Sequence, residues 1–190
     1  MTFEIAKKMI DYLFKHKDDE DFYFTEKKTK GLIIEFIGGE PLLKASLIMK
    51  ICDYFEEKCL EYPDCPWLIY HRYSISSNGI AYFNEDVVKL RERYGDLFSF
   101  TITIDGCKEL HDSCRVFPNG DPSYDIAIEA ALDQLKNYGN DATKITLSPD
   151  NIFYAFKGVK NMYELGFKYI NMNSCFEEGW KIDDAKALYQ

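Results

Sequence analysis

Along the chain, short runs rich in β-branched and aromatic residues alternate with stretches in which apolar positions recur every three or four residues. The runs at residues 32–37, 68–75, 99–104, 144–147 and 168–172 read as strands. Several are apolar nearly throughout, the pattern of strands covered on both faces. Helical spacing separates them. Ile5, Met9, Ile10, Leu13 and Phe14 form one stripe of an amino-terminal helix over residues 3–15. Pro41 opens the next helix at its first turn, with Ile48, Ile51, Cys52, Phe55 and Cys59 on the inner face. Asn84 caps another, with Glu85 and Asp86 in the first turn and Gly95 beyond its end. Ser123 starts a helix carrying Ile128, Leu132 and Leu135 to Gly139. Asp150 or Asn151 starts one that runs through Phe156, Val159 and Met162 to Gly166, and a last helix begins after Trp180. Strand and helix alternating about five times argue for an α/β fold with a mainly parallel sheet and right-handed crossovers. No linker or repeat interrupts the chain, so residues 1–190 read as a single domain.

Composition narrows the picture. With 190 residues, 46% hydrophobic and 16% aromatic, the chain can bury a proper core. A formal charge of −9 argues against a nucleic-acid partner, since phosphate binding needs a basic field. Residues 17–21, KDDED, read as a solvated acidic loop. The charged amino-terminal helix is not a signal peptide, and no apolar run approaches the roughly 20 residues that cross a bilayer. The expectation is a cytoplasmic protein with no membrane partner. Six cysteines at irregular spacing predict reduced thiols, with Cys52 and Cys59 as small core residues.

In parallel α/β folds ligands gather beyond the carboxyl ends of the strands. The loops there are rich: Gly38-Gly39-Glu40-Pro41, Ser76-Ser77-Asn78-Gly79, Asp105-Gly106 followed by CKELHDSCR, and Asn173-Ser174-Cys175-Phe176. Two glycines let the backbone approach a ligand and offer it N–H and C=O groups directly. Glu40 sits at a helix start, where the dipole favours negative charge and a cationic group could be received. Each turn also has a plainer reading: Glu40 as a helix cap, Asn78-Gly79 and Asp105-Gly106 as standard turns, Arg115 as a surface ion pair.

Taken together and in order, IGGEPLL, SISSNG and FTITIDGCKELHDSCR resemble the radical S-adenosylmethionine enzymes, most closely the anaerobic sulfatase-maturating and peptide-modifying maturase branch. The resemblance covers the chain from its first helix to about Glu178. It implies a partial (β/α)6 barrel, the central part of a radical S-adenosylmethionine domain without its first β-unit. By the same resemblance, Gly38, Gly39 and Glu40 hold the methionine amino group of S-adenosylmethionine, Thr103 contributes a hydroxyl, Arg115 meets the carboxylate and Phe176 lies beside the adenine. Ser76, Asn78 and Asp105 would face a peptide or protein substrate.

The family cleaves S-adenosylmethionine to a 5′-deoxyadenosyl radical at a [4Fe-4S] cluster held by a C-x3-C-x2-C loop. That loop is absent from the sequence, so the isolated chain is expected to be inactive, and the resemblance puts the first strand and cluster loop before Met1. Cys107, His111 and Cys114 show C-x3-H-x2-C spacing, but after the wrong strand, and read as a loop or cap rather than a metal site. An apolar strand at 32–37 left at a sheet edge invites self-association. Two other readings stay open: a cluster-free α/β-barrel lyase or aldolase using Glu40 and Asp105 as acid and base, and a peptide-binding barrel module.

Overall fold

The structure is a computed structural model, which describes residues 1–19, 31–176 and 179–187. Part of the acidic loop expected at 17–21 therefore lies outside the described residues. In chain order the elements are α1 (Phe3–Lys15), β1 (Leu32–Phe36), α2 (Ala45–Glu61), β2 (His71–Ser77), α3 (Glu85–Tyr94), β3 (Phe98–Ile102), α4 (Lys108–Cys114), α5 (Tyr124–Tyr138), β4 (Ala142–Leu147), α6 (Ala155–Glu164), β5 (Tyr169–Ser174) and α7 (Ile182–Ala187). The sheets have strand orders β1-β2-β3 and β4-β5. All five expected strands form. The start of the second is shortened, because Pro66–Leu68 closes into a 3-10 turn.

The chain divides into two compact units, Met1–Ile75 with Asn84–Ser99, and Ser76–Phe83 with Phe100–Gln190. In the first unit β1 pairs parallel to β2, in register from Leu32↔His71 to Phe36↔Ile75. Its core is aromatic. Phe14 of α1 meets Trp67 edge-on at 5.2 Å and Phe55 at 5.6 Å, and Tyr73 stacks on Phe98 at 5.0 Å. The inner face of α2 is the expected one: Ile48, Ile51, Cys52, Phe55 and Cys59 are all buried. On α1 the buried positions are Ala6, Ile10 and Phe14, while Ile5 and Met9 are exposed. The contact is narrower than the apolar stripe because positions four apart suffice to line one side of a helix.

In the second unit β4 pairs parallel to β5, from Ala142↔Tyr169 to Leu147↔Ser174, and a parallel bridge joins Thr103 to Lys144. Two helices sit differently from their sequence pattern. The buried face of α5 is Ala127, Ala130, Ala131 and Gln134, with Ile128, Leu132 and Leu135 at its margins. The reason is close approach to the Asn78-Gly79 turn: a Cβ on Gly79 would stand 3.3 Å from the Ala130 Cβ and 3.5 Å from the Ala127 Cα. On α6, Ala155, Gly158 and Met162 are buried and Phe156 is 79% exposed. Gly158 lies against Gly106, whose added Cβ would meet the Gly158 Cα at 2.6 Å.

The strands also depart from burial on both faces. Burial alternates along β2 and β4, with His71, Tyr73, Ile75 and Ser77, or Thr143, Ile145 and Leu147, on the covered face. The other face carries Arg72, Ser74 and Ser76, or Lys144 and Thr146. Such alternation is what a sheet covered by helices on one side requires.

Candidate functional site

In the first unit the end of β1 turns sharply. Gly38 and Gly39 have φ of +88° and +51°, a conformation that side-chain-bearing residues rarely adopt. A Cβ on either would meet nothing within 4 Å, so backbone conformation rather than crowding selects glycine, and the peptide groups stay open. Glu40 caps the 3-10 turn Pro41–Lys44, its Oε1 accepting the Leu42 N–H at 3.0 Å. Gly38 and Glu40 border a cavity of about 390 Å³ whose walls are largely apolar, including Met9, Ile10, Phe36 and Ile48.

In the second unit the expected residues fall into two groups. Ser76 and Asn78 flank Ser77, whose carbonyl accepts the Thr103 N–H at 2.9 Å, so these three positions meet at neighbouring strand ends. The Ser77 hydroxyl accepts the Gly79 N–H at 2.9 Å and the Asn78 Oδ1 accepts the Ile80 N–H at 3.0 Å, which builds the turn from its own side chains.

The second group is organised by Asp105, which is 0% exposed. Its Oδ1 accepts the Thr146 N–H at 2.6 Å, and its Oδ2 is bound by the Arg115 Nε–H and the Cys114 thiol. Both carboxylate oxygens therefore face protein donors. Asp105 serves to orient Arg115 and to tie its loop to β4, rather than to present a free carboxylate to a ligand. Phe176, by contrast, is 90% exposed.

His111 to Cys114 lie on α4 and Arg115 follows at its end, where the sequence pattern alone reads a loop or cap, and these residues have distinct tasks. His111 is buried and uses both ring nitrogens. Nδ1 accepts the Asp105 N–H at 3.2 Å, so Nε2 carries the proton and donates to the Ser123 hydroxyl at 3.1 Å. That hydroxyl donates onward to the Arg115 carbonyl at 2.8 Å. The Asp112 Oδ1 accepts the Ser123 and Tyr124 N–H groups at 3.0 and 2.9 Å, satisfying the start of α5. Arg115, one third exposed, closes on Asp105.

Burial, together with the nearby Arg115 and Lys108 cations, holds the His111 pKa below its ordinary 6.5, while Asp105 and Asp112 oppose the shift. The folded state thus keeps His111 neutral where the unfolded chain protonates it. The stability this brings is complete above pH 6.5 and is lost as pH falls toward the folded-state pKa. Denaturant titrations between pH 7 and 5 should show it. The wild type should lose stability relative to His111→Gln on acidification, by about 1.4 kcal/mol for each unit separating the two pKa values. Parallel pH dependence of the two proteins would overturn this assignment.

Among the described residues no group of three or more His, Cys, Asp or Glu side chains is placed to hold a metal ion. Burial pushes Cys59 up to about 12, and burial with the Asp105 carboxylate pushes Cys114 up to about 11. Cys52, Cys65 and Cys107 are likewise raised, chiefly by burial. The described residues do not fit a [4Fe-4S] cluster. No described helix is long and apolar enough to cross a membrane.

Sequence reasoning did not single out Lys144. The one available signal was a charged residue inside the otherwise strand-like run KITL.

No protein-family model matches the chain. An uncharacterized protein of Methanocaldococcus jannaschii is 32% identical over 176 residues, covering 91% of this chain and 52% of its own length. The chain therefore spans about half the length of the curated relative it matches. Among solved structures, an anaerobic sulfatase-maturating enzyme, anSMEcpe, with bound AdoMet superposes with a TM-score of 0.74 at 19% identity, over 99% of this chain and 49% of the other. The same enzyme with AdoMet and the Kp18Cys peptide gives 0.74 at 18%, over 99% and 49%. With AdoMet and the Cp18Cys peptide it gives 0.74 at 18%, over 99% and 50%. The chain has the partial α/β barrel fold of these radical S-adenosylmethionine enzymes.

Proposed function

We propose that this chain is the S-adenosylmethionine-binding part of a radical S-adenosylmethionine enzyme that modifies a peptide or protein. The observation that carries the reading is the fold likeness over 99% of the chain to an enzyme with bound AdoMet, together with glycine turns at successive strand ends. The open peptide groups of Gly38 and Gly39 and the carboxylate of Glu40 receive the sulfonium compound's ammonium group. Thr103 supplies a hydroxyl, Arg115 a guanidinium for the carboxylate, and Phe176 an exposed aromatic face for adenine. Ser76 and Asn78 face the substrate, and the peptides in the related structures favour a peptidic one. Asp105 holds Arg115 in place. Reductive chemistry in this family needs an iron-sulfur cluster, which the described residues do not fit, so this chain's own contribution is to bind and orient the cofactor.

Equilibrium dialysis with radiolabelled S-adenosylmethionine tests the reading. Saturable binding should appear, and Gly39→Val should weaken it at least tenfold, since a branched side chain disfavours φ of +51° and covers the open peptide group. No saturable binding by the wild type up to about 1 mM, the range of the weakest specific complexes, would sink it.

A further inference from the structure

We infer that Lys144 is the centre of a carboxylate-binding site on the sheet face of the second unit. Burial alternates along β4, which puts Lys144 and Thr146 on the face opposite Ile145 and Leu147. Register then sets their neighbours. Lys144 is paired with Thr103 on one side and Asn171 on the other, and Thr146 with Asn173. Residues in register on adjacent strands share a face. With Thr101, two positions before Thr103, the face is thus a field of hydroxyls and carboxamides around one ammonium.

Among the described residues no carboxylate lies within 4 Å of that ammonium. Lys108, Lys157, Lys160, Lys168 and Lys186 of the same unit each lie within 4 Å of a carboxylate, and Lys136 and Lys181 are exposed to solvent where Lys144 is half-buried. Its neighbour is neutral: with the Asn173 amide turned to satisfy both of its ends, the amide oxygen accepts from Lys144 Nζ at 3.0 Å and the amide nitrogen donates to the Met172 carbonyl at 3.3 Å. A half-buried cation in a chain of net charge −9, held by a neutral acceptor and ringed by neutral donors, suits one singly charged anion. A phosphate dianion would call for further cations, and among the described residues the register places none beside Lys144 on this face. The chemistry is therefore that of a carboxylate. Two sources supply one: the aminoacyl end of S-adenosylmethionine, or an acidic side chain of a peptide. The argument stands on the β4-β5 face alone and not on the cofactor reading.

The test uses the chain labelled with 13C at the lysine Cε, with the Lys144 resonance assigned through Lys144→Arg. Two matched pairs of probes are titrated: S-adenosylmethionine against its decarboxylated analogue, and N-acetylglutamate amide against N-acetylglutamine amide. The Lys144 resonance should shift saturably with a carboxylate-bearing probe and not with its counterpart lacking the carboxylate, and Lys144→Met should weaken that probe at least tenfold. A response confined to the first pair identifies the cofactor's carboxylate; a response to the glutamate probe identifies an acidic peptide side chain. The inference is overturned if no probe moves the resonance, or if the probes with and without a carboxylate move it equally. Should Lys144→Met fail to fold, the probe-dependent shift in the wild type decides by itself. Saturable S-adenosylmethionine binding that leaves Lys144 unmoved, with a silent glutamate probe, defeats this inference and spares the proposed function. A response to glutamate without S-adenosylmethionine binding does the reverse.

Discussion

Gly106→Val should destabilise the protein by about 3 kcal/mol or more, the sum of a strained backbone and an overfilled contact. The strain arises because Gly106 has φ of +70°, where a β-branched residue is a severe outlier. The overfilling arises because the new Cβ would stand 2.6 Å from the Gly158 Cα and 3.0 Å from the Leu110 Cδ2. Leu110 can move, but the backbone of α6 can retreat only by lifting Ala155 and Met162 out of the core. Gly158→Ala provides the graded companion. Its Cβ would meet the Gly106 Cα and the Leu110 Cδ2, each at 3.1 Å, without a positive φ, so a loss of about 1–2 kcal/mol is expected. Urea denaturation followed by circular dichroism measures both. A Gly106→Val midpoint equal to that of the wild type would mean that α6 does not rest on the Asp-Gly turn.

Asp105→Ala should cost about 2–3 kcal/mol. Breaking a fully buried ion pair typically costs more, but Arg115 is one third exposed and water can solvate the abandoned guanidinium. The Thr146 N–H has no such remedy in its part-buried position and accounts for a good share of the loss. Asp105→Asn keeps an oxygen for Thr146 and should lose about half as much. A double-mutant cycle with Arg115→Met isolates the pair, with a coupling energy of about 1–2 kcal/mol expected for side chains in direct contact. Additive effects would show that Asp105 does not hold Arg115. A structural role alone leaves ligand affinity unmoved in the folded variant. Asp105→Asn should therefore also weaken S-adenosylmethionine binding if Arg115 must be pre-oriented to meet its carboxylate.

Much of this architecture was legible in the pattern of residues. The five strands follow from their β-branched and aromatic runs, and the ends of α3 and α5 from Asn84, Gly95, Ser123 and Gly139, because local sterics and capping act over a few residues. The positive-φ glycines at 38, 39, 79 and 106 were visible as turns for the same reason. What the pattern missed depends on contacts distant along the chain. Ile128, Leu132 and Leu135 made the more hydrophobic stripe of α5, yet the alanines face inward because the Asn78-Gly79 turn comes too close for larger groups. Helix α4 has only seven residues and no side-chain cap on its first turn, so its period could not be recognised. The role of Asp105 was hidden because its partners lie 10 and 41 positions later, at Arg115 and Thr146. Nothing in the order of residues announces that pairing. Lys144 was hidden for a related reason, since a lysine's missing counter-ion becomes visible only when its neighbours on adjacent strands are known.

The alanine face of α5 also bears on the thermodynamics of ordering. A leucine or isoleucine immobilised at such an interface forfeits about 0.5–1 kcal/mol of rotamer freedom, whereas alanine has none to surrender. Ala127, Ala130 and Ala131 therefore seat the helix with a smaller entropic penalty than the bulkier stripe beside them would have incurred. Their contribution comes instead from dispersion contacts that fall away steeply with distance. The position of α5 along its axis is set by Tyr82, whose hydroxyl donates to Asp133 and accepts from the Gln134 amide.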